Sequence, residues 1–240
     1  MTTTYYAPPE NIDDRFIRLP ADESYHAFKV LRKQIGDELV VVDGVGGWHK
    51  IQLVQVSKEA CLGQRIESRQ EVGEAPIRVR IGLALLKNTS RFEDFVEKAV
   101  ELGVNEIVPL LTTRTEVKRF KPERLHRILV AAMKQCGRSR LPVLAQPQAL
   151  KEVLANVPKS PEVLRLICHE KTATTASMYR VVSGCTASSI EVLVGPEGGF
   201  TNEEIVEAVS GGWQPVSLGK RRLRAETAAI VAATTALFFE

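Results

Sequence analysis

No apolar run in this 240-residue chain approaches the ~20 residues that a membrane-spanning helix needs, so no membrane partner is expected. Its opening, MTTTYY, lacks the basic-then-apolar pattern of a secretory signal, and a cytoplasmic protein is the expectation. Cysteine is scarce and scattered. Cys61, Cys136, Cys168 and Cys185 include no C-x-x-C pair, which argues against a disulfide framework or a zinc site. His26, His49, His126 and His169 lack metal-ligand spacing, and no metal is expected. The G-x-x-x-x-G-K-[ST] signature of phosphate loops is missing. No G-x-G-x-x-G follows the strand read at 77–86, which weakens a dinucleotide reading. Aromatic residues make up only 6% of the chain, and few lie near its basic stretches.

What remains is an ordinary globular composition, 44% hydrophobic and 25% charged, long enough for one large domain or two smaller ones. The net charge of +3 says little, but its distribution says more. Lys118, Arg119, Lys121, Arg124, Arg127, Lys134, Arg138 and Arg140 crowd one region, and Lys220, Arg221, Arg222 and Arg224 another. Clustered cations can hold a polyanion even when the total is near balance.

Two segments near the C-terminus carry the strongest signal. Residues 193–205 read LVGPEGGFTNEEI, and residues 218–228 read LGKRRLRAETA. Each is an apolar strand running into a glycine-bearing turn that opens a helix. Backbone N–H groups collect at such turns, and side chains there are too small to block a ligand.

Residues 1–72 read as a small β-rich unit, with a strand at 38–43, turn chemistry at 43–47 and a returning strand at 48–56. A short helix is expected at 25–33, and the polar stretch 67–76 reads as a linker. From residue 77, strands and helices alternate, which implies a mostly parallel α/β sheet. Ser90 and Glu93 form one capping-box pattern, and Thr201 and Glu204 another. A basic helix is expected at 122–135. The final helix, 225–239, is apolar almost all round and so must be buried on several sides, against its own sheet and a partner subunit.

With these residues in view, the chain resembles the RsmE family, methyltransferases of the knotted SPOUT superfamily that use S-adenosylmethionine (SAM) to modify N3 of a uridine in small-subunit (16S) ribosomal RNA. The resemblance runs through His26, Val30 to Arg32, Gly36-Asp37, Asp43-Gly44 and Gly46. It continues through Glu97-Lys98, Glu101 to Gly103, Ile107 to Pro109, Gln135, Gly137-Arg138, Gly195 to Gly199, Leu218-Gly219, Leu223-Arg224 and Glu226 to Ala228. It implies a PUA-like β-barrel RNA-binding domain at 1–72, followed at 73–240 by an α/β SPOUT domain, a parallel sheet with a trefoil knot. It also implies a homodimer acting on ribosomal RNA or the small ribosomal subunit. Lys134 stands where relatives commonly carry an acid, and Arg222 where an apolar residue is usual.

SAM is then expected against Val194, Gly195, Pro196, Glu197, Gly198, Gly199, Leu218, Gly219, Leu223, Arg224, Thr227 and Ala228. N3 of uridine is protonated at neutral pH, so methylation needs a proton acceptor and stabilisation of charge on O2 and O4. Arg138 and Arg224 are candidates for the second role, Glu226 and Glu197 for the first. Glu226 has the competing reading of a favourable charge at a helix start, and Glu197 that of a loop brace. Arg15, His26, Arg32, Arg124, Arg138 and Arg140 are candidate RNA contacts. With few aromatics near the basic clusters, rRNA shape is expected to count for more than base stacking. Two alternatives stay open: a SPOUT ribose 2′-O-methyltransferase, and a ribosome-assembly factor without catalysis.

Overall fold

Short alternating segments and tight turns build the N-terminal part, and helices interleave with parallel strands after it. In the computed structural model, residues 3–116, 119–155, 160, 162–172 and 176–238 are described. Lys118 and Phe239 lie outside them. The chain forms two compact units, Met1–Glu74 with Val130–Leu141, and Ala75–Leu129 with Pro142–Glu240. The division expected at residue 72 treats each part as continuous, whereas Val130–Leu141 packs with the first unit.

The first unit contains β1 (Thr4–Tyr6), β2 (Phe16–Arg18), α1 (Ala21–Tyr25), β3 (Glu38–Val42), β4 (Gly47–Val56) and β5 (Cys61–Gln70). Its strands lie in the order β1-β3-β4-β5-β2, antiparallel except for β1 beside β3. Period-two alternation turns Tyr5, Ile17, Leu39, Val41, Ile51, Leu53 and Cys61 into one core, joined by Leu19 and Ala27. The turn between β3 and β4 is fixed by Asp43, whose carboxylate accepts from the amides of Val45 and Gly47 at 2.8 Å each. Gly44 and Gly46 take φ of 79° and 116° there.

Two expectations need correction in this unit. The helix begins at Ala21 and ends in a wide turn over His26–Val30, rather than spanning 25–33. The 67–76 stretch is not all linker, because β5 runs on to Gln70, paired with Gly47 of β4. Polar side chains misled there, since this part of β5 has no core above it.

The second unit supplies β6 (Arg78–Ala84), α2 (Thr89–Leu102), β7 (Glu106–Leu111), α3 (Pro122–Cys136), β8 (Val143–Leu144), β9 (Gln148–Ala149) and α4 (Leu150–Ala155). It continues with β10 (Val163–Cys168), α5 (Met178–Ser183), β11 (Ser189–Val194), α6 (Asn202–Ser210), β12 (Gln214–Val216) and α7 (Ala225–Leu237). Helix α3 passes from the second unit to the first at Val130. The sheet is parallel, in the order β12-β10-β11-β6-β7-β8, with β9 also on β7. Such a sheet is covered on both faces, which is why β6 and β11 read as near-continuous apolar runs.

Register is locked by charge. Arg165, Glu191, Arg80 and Glu106 stand directly opposite one another on β10, β11, β6 and β7. They alternate in sign, at 3.6, 3.7 and 3.2 Å. Slipping any strand by one residue turns its charged side chain to the other face. Trp213, Phe200, Leu193 and Leu154 belong to the core of this unit.

Helix α2 is capped by Asn88, whose side chain accepts from the Ser90 amide at 3.0 Å, so the helix starts before Ser90 and the box expected at Ser90 and Glu93 gives way to a single Asn88 cap. Gly103 ends the helix at φ 109°. The Thr201–Glu204 box is present in full. Helix α7 buries Ala225, Ala229, Ala232, Ala233 and Ala236 and leaves Thr227, Thr234 and Phe238 exposed.

Candidate active site

Strands β12, β10 and β11 are neighbours and parallel, so the loops at their carboxyl ends open side by side. This edge is where α/β sheets usually bind ligands. Residues 168–171, 194–200 and 217–225 enclose a cleft of about 670 Å³, with Arg114, Asn202 and Ala228 completing its wall. That is within the usual range for a small-molecule pocket.

The first glycine loop is tightly folded. A Cβ at Gly195 would lie 3.1 Å from backbone atoms of Gly199 and Phe200, so no larger residue fits without moving the loop. Gly199 has φ of 67°, and a Cβ there or at Gly219 would meet nothing within 4 Å, so these positions leave open space at the cleft. The loop is held from outside. Arg114 donates to the carbonyls of Gly198 and Phe200. Glu204 accepts from the Thr113 amide at 2.8 Å as well as from Thr201. Glu197 accepts from the Lys87 amide at 3.1 Å while lining the cleft, so its bracing role is real.

The second loop leaves β12 through Ser217, whose hydroxyl accepts from the Gly219 amide at 3.2 Å. It ends at Arg224, the N-cap of α7, where no side chain caps the helix start. Lys220, Arg221 and Arg224 are exposed along it. Arg222 approaches Glu170 at 3.5 Å across open surface.

Of the expected cofactor residues, Val194 to Gly199, Leu218, Gly219, Leu223, Arg224 and Ala228 all line the cleft, and Thr227 does not. Two expected catalytic residues do not line the cleft. Glu226 is absent from the lining; it faces Arg91 of α2 at 3.6 Å, with its second oxygen buried. Arg138 is also absent from the lining. It is 2% exposed and bound to Glu74 at 2.7 Å, so its charge is already matched within the first unit.

Among the expected RNA contacts, Arg15 is exposed and lies over the Phe16 ring, and Arg32 is exposed at φ 52°. His26 packs beside Tyr5, with ring centroids 6.0 Å apart. Arg124 and Arg140 make two-pronged bonds to Glu93 and Glu71. These arginines hold both acids below the usual carboxylate range.

The sequence reading missed Cys168, His169, Glu170 and Lys171, which supply the third wall. The apolar run that becomes β10 was the available signal, since neighbouring parallel strands deliver their loops together. Burial pushes the Cys168 thiol up to about 12, so it stays protonated at neutral pH and is a poor nucleophile. Burial, then the charge of Lys171, lowers His169 from its ordinary range, so its imidazole is neutral near pH 7.

The class follows from both units together. Residues 73–237 match the RNA methyltransferase domain family, and residues 19–64 match the RNA methyltransferase PUA domain. A ribosomal RNA small subunit methyltransferase E of Synechocystis is 37% identical over 226 residues, covering 93% of this chain and 73% of the relative. The crystal structure of a ribosomal RNA small subunit methyltransferase E from Neisseria gonorrhoeae, bound to SAM, superposes with a TM-score of 0.84 at 27% identity. It covers 97% of this chain and 95% of that one. A Legionella pneumophila protein solved with its cofactor SAM gives 0.82 at 30% identity, over 97% and 96% of the two chains. The chain belongs to the ribosomal RNA small subunit methyltransferase E family.

Proposed function

We propose that this protein transfers a methyl group from SAM to small-subunit ribosomal RNA, at N3 of a uridine. The observation that carries the reading is the three-loop cleft, whose glycine positions leave room for a ligand at backbone distance. Val194, Leu218 and Leu223 form apolar walls suited to a flat base, and Gly199 and Gly219 keep side chains out of its way. Pro196 stiffens the turn, and Ala228 completes the wall. The uncapped first turn of α7 offers amides to a carboxylate or phosphate.

When bound, SAM supplies an electrophilic methyl group on a sulfonium. Orientation then does much of the work, because the leaving group is already good. Arg224 stabilises charge spreading over the uracil oxygens. Glu197, Glu170 and neutral His169 line the cleft and can take the N3 proton; Glu170 already faces Arg222. Lys220 and Arg221 hold the RNA backbone at the rim. Protonated Cys168 leaves no competing thiolate beside the methyl donor.

The knot belongs to the same reading. After β11 the chain crosses β10 to reach β12 at the sheet edge, and α7 returns to pack on β6 and β11. A second copy covers the outer side of α7, where Phe238 is exposed and Ile230 and Val231 are half-buried, which makes a homodimer. Among the described residues no helix is long and apolar enough to cross a membrane, in keeping with a cytoplasmic enzyme.

The test is transfer of labelled methyl from SAM into small-subunit rRNA, followed by nucleoside mass spectrometry. The expected product is 3-methyluridine. Gly195→Val is expected to weaken SAM binding at least ~100-fold by calorimetry with little change in the circular dichroism spectrum, since the added side chain meets loop backbone. A 2′-O-methylated product, or a wild-type chain that does not bind SAM, overturns the proposal.

A further inference from the structure

The strongest feature outside the cleft is a patch on the first unit, between α1 and β3. Tyr25 and Phe28 are 45% and 41% exposed there, and Val30, Leu31 and Ile35 are exposed beside them. Core packing explains none of these positions, and an apolar cluster of this kind on a small domain marks a contact surface. Lys29, Arg32 and Lys33 are interleaved with the apolar residues, and no Asp or Glu occurs between Glu23 and Asp37. Among the described residues none of the three cations is in an ion pair, and Glu23 itself is bound to Lys134.

The backbone of the patch is held in place. The Leu31 amide donates to the His26 carbonyl at 3.0 Å, and the Lys33 amide to the Ala27 carbonyl at 2.9 Å. Between them Arg32 sits at φ 52°, a left-handed position where glycine usually closes a helix. Arginine there costs backbone energy and contributes no buried contact, since its side chain is exposed.

We propose that this patch binds an unpaired stretch of RNA, with bases stacked on Tyr25 and Phe28 and phosphates held by Lys29, Arg32 and Lys33. It rests on the reading above that the substrate is RNA. The occupant follows from the chemistry: an anionic backbone carrying exposed aromatic faces matches unmatched cations set among rings. A duplex hides its base faces. A second copy docked through the same patch on a two-fold axis would set these cations against one another. Stacking then matters more than the two basic clusters, 118–140 and 220–224, led one to expect, because the rings lie at residues 25–33.

The experiment measures binding of the full chain to a labelled ten-nucleotide single-stranded RNA and to the same sequence as a duplex. Tyr25→Ala with Phe28→Ala is expected to weaken single-strand binding about 10- to 100-fold, to leave duplex binding within about twofold, and to leave SAM affinity unchanged. Arg32→Gly is expected to melt no lower than wild type, because glycine relieves the left-handed strain, yet to flatten the salt dependence of single-strand binding by about 0.7. Wild-type single-strand affinity in the ring variant overturns the proposal. So does a change in sedimentation with RNA affinity intact, which would make the patch a chain–chain contact. Absence of SAM binding in the wild type would overturn the methyltransferase reading, while the strand-against-duplex comparison still decides this one.

Discussion

In α3 and the turn behind it, cations meet carboxylates: Arg124 grips Glu93, Lys134 reaches Glu23, Arg138 is buried on Glu74, and Arg140 is forked onto Glu71. In the loop between β12 and α7 they do not. Lys220, Arg221 and Arg224 stand exposed on the cleft, with no ion pair among the described residues, and Arg222 has only Glu170 at 3.5 Å. Both regions are rich in cations. A carboxylate already bonded to a guanidinium cancels the field that a phosphate would otherwise feel. The first region is therefore chiefly part of the scaffold, and the second is the one equipped for an anion.

The largest effect that separates the two regions is on stability. Arg138→Ala leaves the Glu74 carboxylate buried, with only the amides of Ser139 and Arg140 as partners, at 3.1 and 2.8 Å. Breaking one half of a buried pair costs about 3–5 kcal/mol, so urea denaturation is expected to show a large loss while SAM affinity is kept in folded protein. A stable variant with lost turnover would instead restore Arg138 as a catalytic group and break the comparison. Next in size is the rim. Lys220→Glu with Arg221→Glu is expected to lower RNA affinity about 100-fold at low salt, roughly tenfold per phosphate contact removed. The paired control, Arg124→Ala with Arg140→Ala, is expected to change it less than about threefold. Filter binding across a salt series measures both, and equal losses would erase the distinction.

Much of the cleft was legible in the sequence because its determinants are local. A glycine turn after an apolar run and a Thr201–Glu204 box before a helix are read within a dozen residues, and both are where expected. The parallel sheet was legible from alternation of element types. What could not be read was partnership across the chain. Nothing near Arg138 announces Glu74, and nothing near Glu226 announces Arg91, because those contacts depend on how distant segments pack. The wall at Cys168 and His169 was missed for a related reason: the strand order that sets β10 between β12 and β11 is a tertiary fact. The short elements β8, β9, α4 and α5 carry too few residues for a period to show.

The smallest expected effect concerns a polar group with no such partner. The Tyr5 hydroxyl is buried in the first unit without a hydrogen bond, in contrast to the matched ions of the same unit. Burial, with the nearby charge of Glu23, pushes its phenol up from an ordinary 10.0 to about 12. The folded pKa therefore lies above the unfolded one. Any stability linked to this group is fully present below about pH 10 and is lost as the pH climbs toward 12, because only the unfolded chain can then ionise the phenol. Tyr5→Phe is expected to be close to neutral in denaturation at pH 7, since no bonded partner is orphaned. At alkaline pH it is expected to unfold later than the wild type, and the last of the tyrosinate steps near 295 nm should vanish. If the Phe variant is instead markedly weaker at pH 7, the hydroxyl has a partner in solution, and its contrast with the matched ions of the first unit fails.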